Sequence, residues 1–123
     1  MNMQPKKTVI IGASDKSSRY SYIAANRLVG HSHPIVPIGT HGGKVAGEEI
    51  ITEKPLLPDV DTVTLYINPF RQPAYYEYIL SLQPKRVIFN PGTENHEFEA
   101  LLEQNGIEAL EACTLVMLST GQY

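Results

Sequence analysis

Residues 8–14 read Thr-Val-Ile-Ile-Gly-Ala-Ser, a short apolar run rich in β-branched side chains that stops at Gly12. Such a run is typical of a strand that is buried on both faces of a sheet. Downstream, apolar side chains recur at helical spacing from Tyr20 to Leu28, and Gly30 and Pro34 then end the pattern. This stretch therefore predicts a buried strand, a glycine turn and a helix with one buried face.

The same alternation continues along the chain. Apolar runs at 35–38, 62–67, 86–89 and 107–110 predict further strands, and helical spacing at 75–82 and 98–102 predicts helices between the later ones. We expect Thr93 to cap the helix after residue 93 and expect one irregular strand within 45–51, whereas 113–118 has no clear pattern. The alternation predicts a single Rossmann-like, doubly wound α/β domain over residues 1–123, with a mostly parallel sheet of about five strands flanked by helices.

Composition and charge narrow the class of function. The chain has 123 residues, is 42% hydrophobic, has a net charge of −3 and contains one cysteine, Cys113. No apolar run reaches the ~20 residues needed to span a bilayer, and no signal-peptide pattern is present, so we expect a cytoplasmic protein without a membrane partner. The acidic balance argues against nucleic acid as a partner. Residues 1–44 nevertheless carry six basic side chains and one acidic one, which favours a small anionic ligand.

Ligands of doubly wound sheets bind beyond the carboxyl ends of the strands, so the loops at 12–19, 39–44, 68–73 and 90–93 are the candidate site. The first loop can turn tightly at Gly12 and direct backbone N–H groups at a phosphate, with Ser14, Lys16 and Arg19 nearby. It lacks the second and third glycines of the G-x-G-x-x-G pattern. A purely structural turn is the alternative.

The second loop has no acid where an NAD-binding domain places one. Its glycines with Lys44 suit a phosphorylated ribose, and a flexible surface loop is the alternative. The Asn68-Pro69 and Asn90-Pro91 turns follow neighbouring strands and offer amide groups and flat apolar surface, and Arg71 could meet a phosphate. Ordinary helix starts would also explain both turns.

These residues, in this order, resemble the small stand-alone CoA-binding proteins of bacteria, whose domain is similar to the CoA-binding domain of the succinyl-CoA synthetase α subunit. The resemblance covers about residues 6–120. It rests on these segments: Val-Ile-Ile-Gly-Ala-Ser14 before Arg19-Tyr20, Val36-Pro37 before a Gly/Lys loop and Gly47, Asn68-Pro69, Asn90-Pro91-Gly92, and Glu111-Ala-Cys113. This chain has Asp15-Lys16 where many relatives have Asn-Pro.

The resemblance implies coenzyme A, or an acyl-CoA, as the ligand. It implies that Gly12, Ala13, Ser14 and Arg19 hold the phosphates, that Pro37, Gly39, Thr40 and Lys44 lie near the adenosine and its 3′-phosphate, and that the two Asn-Pro turns line the rest of the crevice. The candidate binding residues are Gly12, Ala13, Ser14, Arg19, Tyr20, Pro37, Gly39, Thr40, Lys44, Asn68, Pro69, Arg71, Asn90, Pro91 and Gly92.

No catalytic or metal-binding constellation is evident. The closely spaced His31 and His33 lack a third ligand, and His41 lacks an acidic partner in the sequence that would orient it as a base. We therefore expect a non-catalytic carrier, sensor or regulatory module. The alternatives are an NAD(P)-binding oxidoreductase or redox sensor, and an interaction module with an empty crevice. Cys113 is either an inert core residue or a partner for the CoA thiol, and residues 115–118 could form a homodimer contact.

Overall fold

Five parallel strands form the central sheet of the computed structural model, which describes residues 4–123. The chain order is β1 (Thr8–Ile11), β2 (Ile35–Ile38), β3 (Lys44–Val45), β4 (Glu48–Glu49), β5 (Thr62–Leu65), β6 (Arg86–Phe89) and β7 (Glu108–Glu111). In space the sheet runs β2-β1-β5-β6-β7, with all neighbours parallel. The predicted Rossmann-like α/β fold is confirmed.

Helices cover both faces of this sheet. They are α1 (Tyr20–Gly30), α2 (Tyr76–Leu82), which follows a 3₁₀ turn at Gln72–Tyr75, α3 (His96–Gln104) and α4 (Thr114–Ser119). Successive strand residues point to opposite faces. Val9 and Ile11 therefore pack with α2 and α3, whereas Ile10 packs with α1 and α4. No helix within residues 4–123 is long and apolar enough to span a membrane.

Strand order reverses between β1 and β5, because β1 lies between β2 and β5 while the later strands extend to the other side. The connections that follow β1 and β5 pack on opposite faces of the sheet, and this leaves a crevice beyond the carboxyl ends of the strands. Pro37 lies in β2, which is an edge strand of the sheet, so its missing N–H breaks no ladder to a further parallel strand.

The structure differs locally from the sequence predictions. The segment at 45–51 forms most of an antiparallel hairpin, β3–β4, instead of one strand. Residues 113–118, which have no clear sequence pattern, form most of α4. Thr93 does not cap α3, because the helix begins later: Asn95 Oδ1 accepts the N–H of Phe98 at 3.1 Å, while the Thr93 hydroxyl donates to Asn90 O at 2.8 Å.

Candidate functional site

A cleft with a volume of about 900 Å³ opens at the carboxyl ends of the strands, at the reversal point between β1 and β5. Its walls come from residues within 12–21, 39–42, 66–75 and 91–93. These segments overlap the four loops selected from the sequence. Small-molecule sites typically have volumes of ~300–1,000 Å³, so the cleft is the candidate ligand site.

Gly12 is needed for the packing of the cleft floor. Its φ is 93°, and a Cβ at this position would lie 2.8 Å from Tyr66 O and 2.9 Å from Ile67 Cγ2. The N–H groups of Gly12 and Ala13 both donate to Ile38 O at 2.9 Å. These two N–H groups are therefore not free to bind an anion, because a carbonyl of β2 already accepts both.

Backbone donors without a partner occur in the next part of the loop. The N–H groups of Ser14, Ser17 and Ser18 have no acceptor among residues 4–123. Arg19 is the N-cap residue of α1 and makes no side-chain capping bond, and the first turn of the helix contains no acid. An uncapped helix N-terminus carries partial positive charge and free N–H groups, which together suit an anion.

The charged side chains on the cleft walls are mostly cationic. Lys16, Arg19 and Arg71 line the cleft together with one carboxylate, that of Asp15. None of these four side chains forms an ion pair within the described range of the chain. Like charges that converge on a concave surface raise the local concentration of ligands of opposite sign, so the cleft favours an anionic ligand.

The loop after β2 packs directly onto the first loop. A Cβ on Gly39 would overlap the carbonyl oxygen of Ala13. This approach brings Thr40 and His41 into the cleft wall, where Thr40 Oγ1 lies 3.0 Å from His41 Nδ1. Lys44 is exposed in the following hairpin and is not part of the wall.

The two Asn-Pro turns use their asparagines differently. Asn68 is exposed at the cleft, and its Oδ1 accepts the N–H of Arg71 at 3.1 Å. Asn90 is 2% exposed. Its Nδ2 donates to Thr64 Oγ1 at 2.7 Å and to Leu65 O at 2.9 Å, while its Oδ1 accepts the N–H of Thr114 at 2.9 Å. The Asn90 amide therefore joins β6 to β5 and to the start of α4.

The structure brings most of the candidate residues to the cleft: Gly12, Ala13, Ser14, Arg19, Tyr20, Gly39, Thr40, Asn68, Arg71, Pro91 and Gly92. Pro37, Lys44, Pro69 and Asn90 lie outside its lining. Pro37 and Asn90 are buried in or beside the sheet, which accounts for their absence from the wall.

Gln72 is a residue of this region that the sequence analysis missed. It is 1% exposed. Its Nε2 donates to Ile67 O at 3.1 Å and to Thr93 O at 2.7 Å, and its Oε1 accepts from Asn95 Nδ2 at 2.9 Å. Gln72 thus fixes the two Asn-Pro loops relative to each other. Glutamine in a proline-rich turn is usually exposed, so the sequence gives no signal of this role.

Tyr66 is a second missed residue, and it forms part of the cleft wall. Its hydroxyl is buried and has no hydrogen-bond partner in the described portion of the chain. Burial raises the pKa of this hydroxyl well above its usual value of 10. Tyr66 therefore stays protonated at neutral pH, which is the wrong state for a general base.

The remaining histidines and the cysteine lie away from the cleft wall. His31 Nδ1 lies 2.8 Å from Arg27 O and His33 Nδ1 accepts the N–H of Lys6, so the two rings serve separate local contacts. His96, Glu99 and Glu111 approach one another at the end of β7, where His96 Nε2 lies 3.6 Å from Glu111 Oε2. Cys113 is half-buried before α4 and is not among the cleft residues.

Comparison with known proteins found one family model that matches most of the chain. A family model described as a CoA binding domain matches residues 6–119. A comparison with curated proteins gave no match. A solved structure described as that of an uncharacterized protein is 56% identical, with a TM-score of 0.96 and coverage of 98% of this chain and 100% of that one.

Two further solved structures share the fold at lower identity. A protein from Thermus thermophilus is 23% identical, with a TM-score of 0.85 and coverage of 97% of this chain and 91% of its own. A hypothetical protein from Pyrococcus horikoshii OT3 is 24% identical, with a TM-score of 0.86 and coverage of 95% and 84%, respectively.

Proposed function

The chain belongs to the family of CoA binding domains, and from this premise we propose that it binds coenzyme A or an acyl-CoA in the cleft without catalysing a reaction on it. The observation that carries the proposal is the uncapped N-terminus of α1, which opens on the cleft between Lys16 and Arg19. The diphosphate of coenzyme A is the kind of anion that such a helix end binds.

The shape of the cleft suits the other parts of this ligand. The loop at 39–42 adjoins the first loop and offers an open surface to the adenosine. On the β5 side of the first loop, Tyr66, Tyr75 and Pro91 would give an apolar wall that suits the pantetheine arm. Arg71 lies on this second side and can meet a phosphate group. The ligand would thus cross the reversal point of the sheet, where doubly wound folds bind nucleotides.

The non-catalytic part of the proposal rests on the ionisable groups of the cleft. His41 Nδ1 lies 3.0 Å from Thr40 Oγ1, and no carboxylate within residues 4–123 is at ion-pair distance from the His41 ring. Tyr66 is held protonated by its burial. A carrier, sensor or regulatory module needs neither group to transfer a proton.

Thermal unfolding with a ligand panel tests the proposal. The panel contains CoA, acetyl-CoA, dephospho-CoA, NAD and NADP. A ligand at 100 times its Kd stabilises the folded state by about 2.7 kcal/mol, which raises the Tm of a domain of this size by roughly 10 °C. We expect a shift with CoA and acetyl-CoA and little shift with NAD. A shift with NAD or NADP alone would replace this proposal with an oxidoreductase or redox sensor.

Two further measurements complete the test. Prolonged incubation with acetyl-CoA should release no free thiol, whereas steady release would show that the protein is an enzyme. Light scattering with and without CoA tests the predicted homodimer. Absence of any shift across the panel would favour an interaction module with an empty cleft.

A further inference from the structure

Asp15 extends from the first loop to the loop after β2. A Cβ built on Gly43 would lie 2.6 Å from Asp15 Oδ2 and 3.0 Å from its Cγ, so the carboxylate rests against the bare Cα of Gly43. Asp15 lines the cleft. Its carboxylate forms no hydrogen bond or ion pair with any residue from 4 to 123. An exposed carboxylate of a cleft residue therefore lies between the first loop and the end of the loop that joins β2 to β3.

This position matters because of where nucleotides lie in doubly wound folds. The phosphates bind at the first loop, and the ribose lies beside the end of the second strand, where an acidic side chain accepts a bond from a ribose hydroxyl. In this chain the residues after β2 are Gly39-Thr40-His41-Gly42-Gly43, none of which is acidic. The only carboxylate among the cleft residues is that of Asp15, which belongs to the first loop and packs against this second loop at Gly43.

A carboxylate at this position also affects which charged groups of a ligand can bind near it. It accepts hydrogen bonds and donates none, so it favours a ribose hydroxyl and repels a phosphate on the same ribose. Lys44, directly after Gly43, has the opposite charge, but it lies outside the cleft wall. Asp15, in contrast, is a cleft residue, and its carboxylate packs against the loop after β2.

We propose that Asp15 is a specificity-determining residue that reduces the preference of the cleft for a 3′-phosphorylated ribose. The inference rests on the proposed function, because it requires an adenosine nucleotide in this cleft. It makes dephospho-CoA a better ligand, relative to CoA, than the cationic walls alone would allow. With Asp15 present, the cleft accepts an adenosine nucleotide with or without the 3′-phosphate and does not select strictly for the phosphorylated form.

Isothermal titration with CoA and dephospho-CoA tests this inference. Asp15→Asn removes the charge and keeps an acceptor oxygen. It should raise the ratio of CoA affinity to dephospho-CoA affinity by about fivefold or more, the effect of one unit charge at short range in water. Glu53→Gln makes the same change in net charge at an exposed site outside the cleft and should leave the ratio unchanged. Asp15→Ala removes the acceptor as well and should weaken dephospho-CoA relative to Asp15→Asn.

The outcomes separate the two ideas. Binding of both ligands by the natural protein, with an affinity ratio that is equal in Asp15→Asn and Glu53→Gln, overturns the inference about Asp15 and leaves the proposed function standing. Binding of neither ligand by the natural protein overturns the proposed function, and the inference with it. Far-UV circular dichroism of each variant confirms that the compared proteins are folded.

Discussion

Gly39 lies so close to the carbonyl oxygen of Ala13 that a Cβ on Gly39 would overlap that oxygen. This approach sets the distance between the loop after β1 and the loop after β2, which together form one side of the cleft. The contact involves backbone on both sides. Neither partner can therefore yield by rotating a side chain.

Gly39→Ala is expected to destabilise the protein by about 2 kcal/mol, since overpacking against backbone forces a local shift. The same shift should weaken CoA binding. Urea unfolding and CoA titration measure the two effects. Gly42→Ala is the matched control, because a Cβ on Gly42 meets nothing within 4 Å, and it should change stability by less than about 0.5 kcal/mol. Equal stability of the two variants would contradict the packing argument.

Asn90→Ala is expected to cost about 3 kcal/mol, because it removes three hydrogen bonds to buried groups of β5 and α4. Those groups are Thr64 Oγ1, Leu65 O and the N–H of Thr114. Asn68→Ala removes an asparagine from the corresponding exposed turn and should cost less than about 1 kcal/mol. The midpoints of urea unfolding measure both values. A similar cost at the two positions would show that the Asn90 bonds add little to stability.

Strands β1, β2, β5 and β6 could be predicted from the sequence because they are short runs of mostly apolar or β-branched residues, and a strand buried on both faces allows little else. The edge strand β7 is exposed at both ends and lies one residue later than the predicted 107–110. The loops of the site could also be located, because topology places the carboxyl ends of parallel strands together. The free N–H groups could not be assigned, since those of Gly12 and Ala13 are accepted by Ile38 O, a partner that only tertiary structure brings near.

Contacts between side chains and residues that are distant in the sequence could not be predicted either. Nothing near Asp15 in the sequence indicates that it contacts Gly43, and nothing in the Asn90-Pro91 turn distinguishes it from the Asn68-Pro69 turn. The two turns have the same local pattern, but Asn90 is buried beneath α4 and Asn68 is open to the cleft. Burial by a distant helix decides which asparagine is structural.

His33 makes stability depend on pH. Burial and the neighbouring cations Lys6, His31 and Arg86 lower the pKa of His33 below its usual value of 6.5. The unfolded chain therefore binds a proton at a higher pH than the folded protein does. We therefore expect the contribution of His33 to stability to be fully present above about pH 6.5 and to fall as the pH drops below that value, until the folded-state pKa is passed.

His33→Asn should flatten this dependence, because the amide does not titrate and its oxygen can replace His33 Nδ1 as the acceptor for the N–H of Lys6. Urea unfolding between pH 5 and 8 gives the slope for each protein. The exposed His41→Asn variant should retain the slope of the natural protein. An unchanged slope in His33→Asn would assign the acid sensitivity to other groups.

Arg19 should contribute to CoA affinity through its position and not only through its charge. It lies at the N-terminus of α1 and lines the cleft, whereas Arg27 lies in the last turn of the same helix, outside the cleft. Arg19→Gln is expected to weaken CoA binding by about tenfold, the effect of losing one charged hydrogen bond. Arg27→Gln changes net charge equally and should leave the affinity within about twofold, because solvent and salt screen a charge at that distance. Titrations with CoA at two salt concentrations provide the check. The CoA affinity should depend less on salt in Arg19→Gln than in Arg27→Gln. Equal affinities for the two variants would show that Arg19 is not part of the phosphate site.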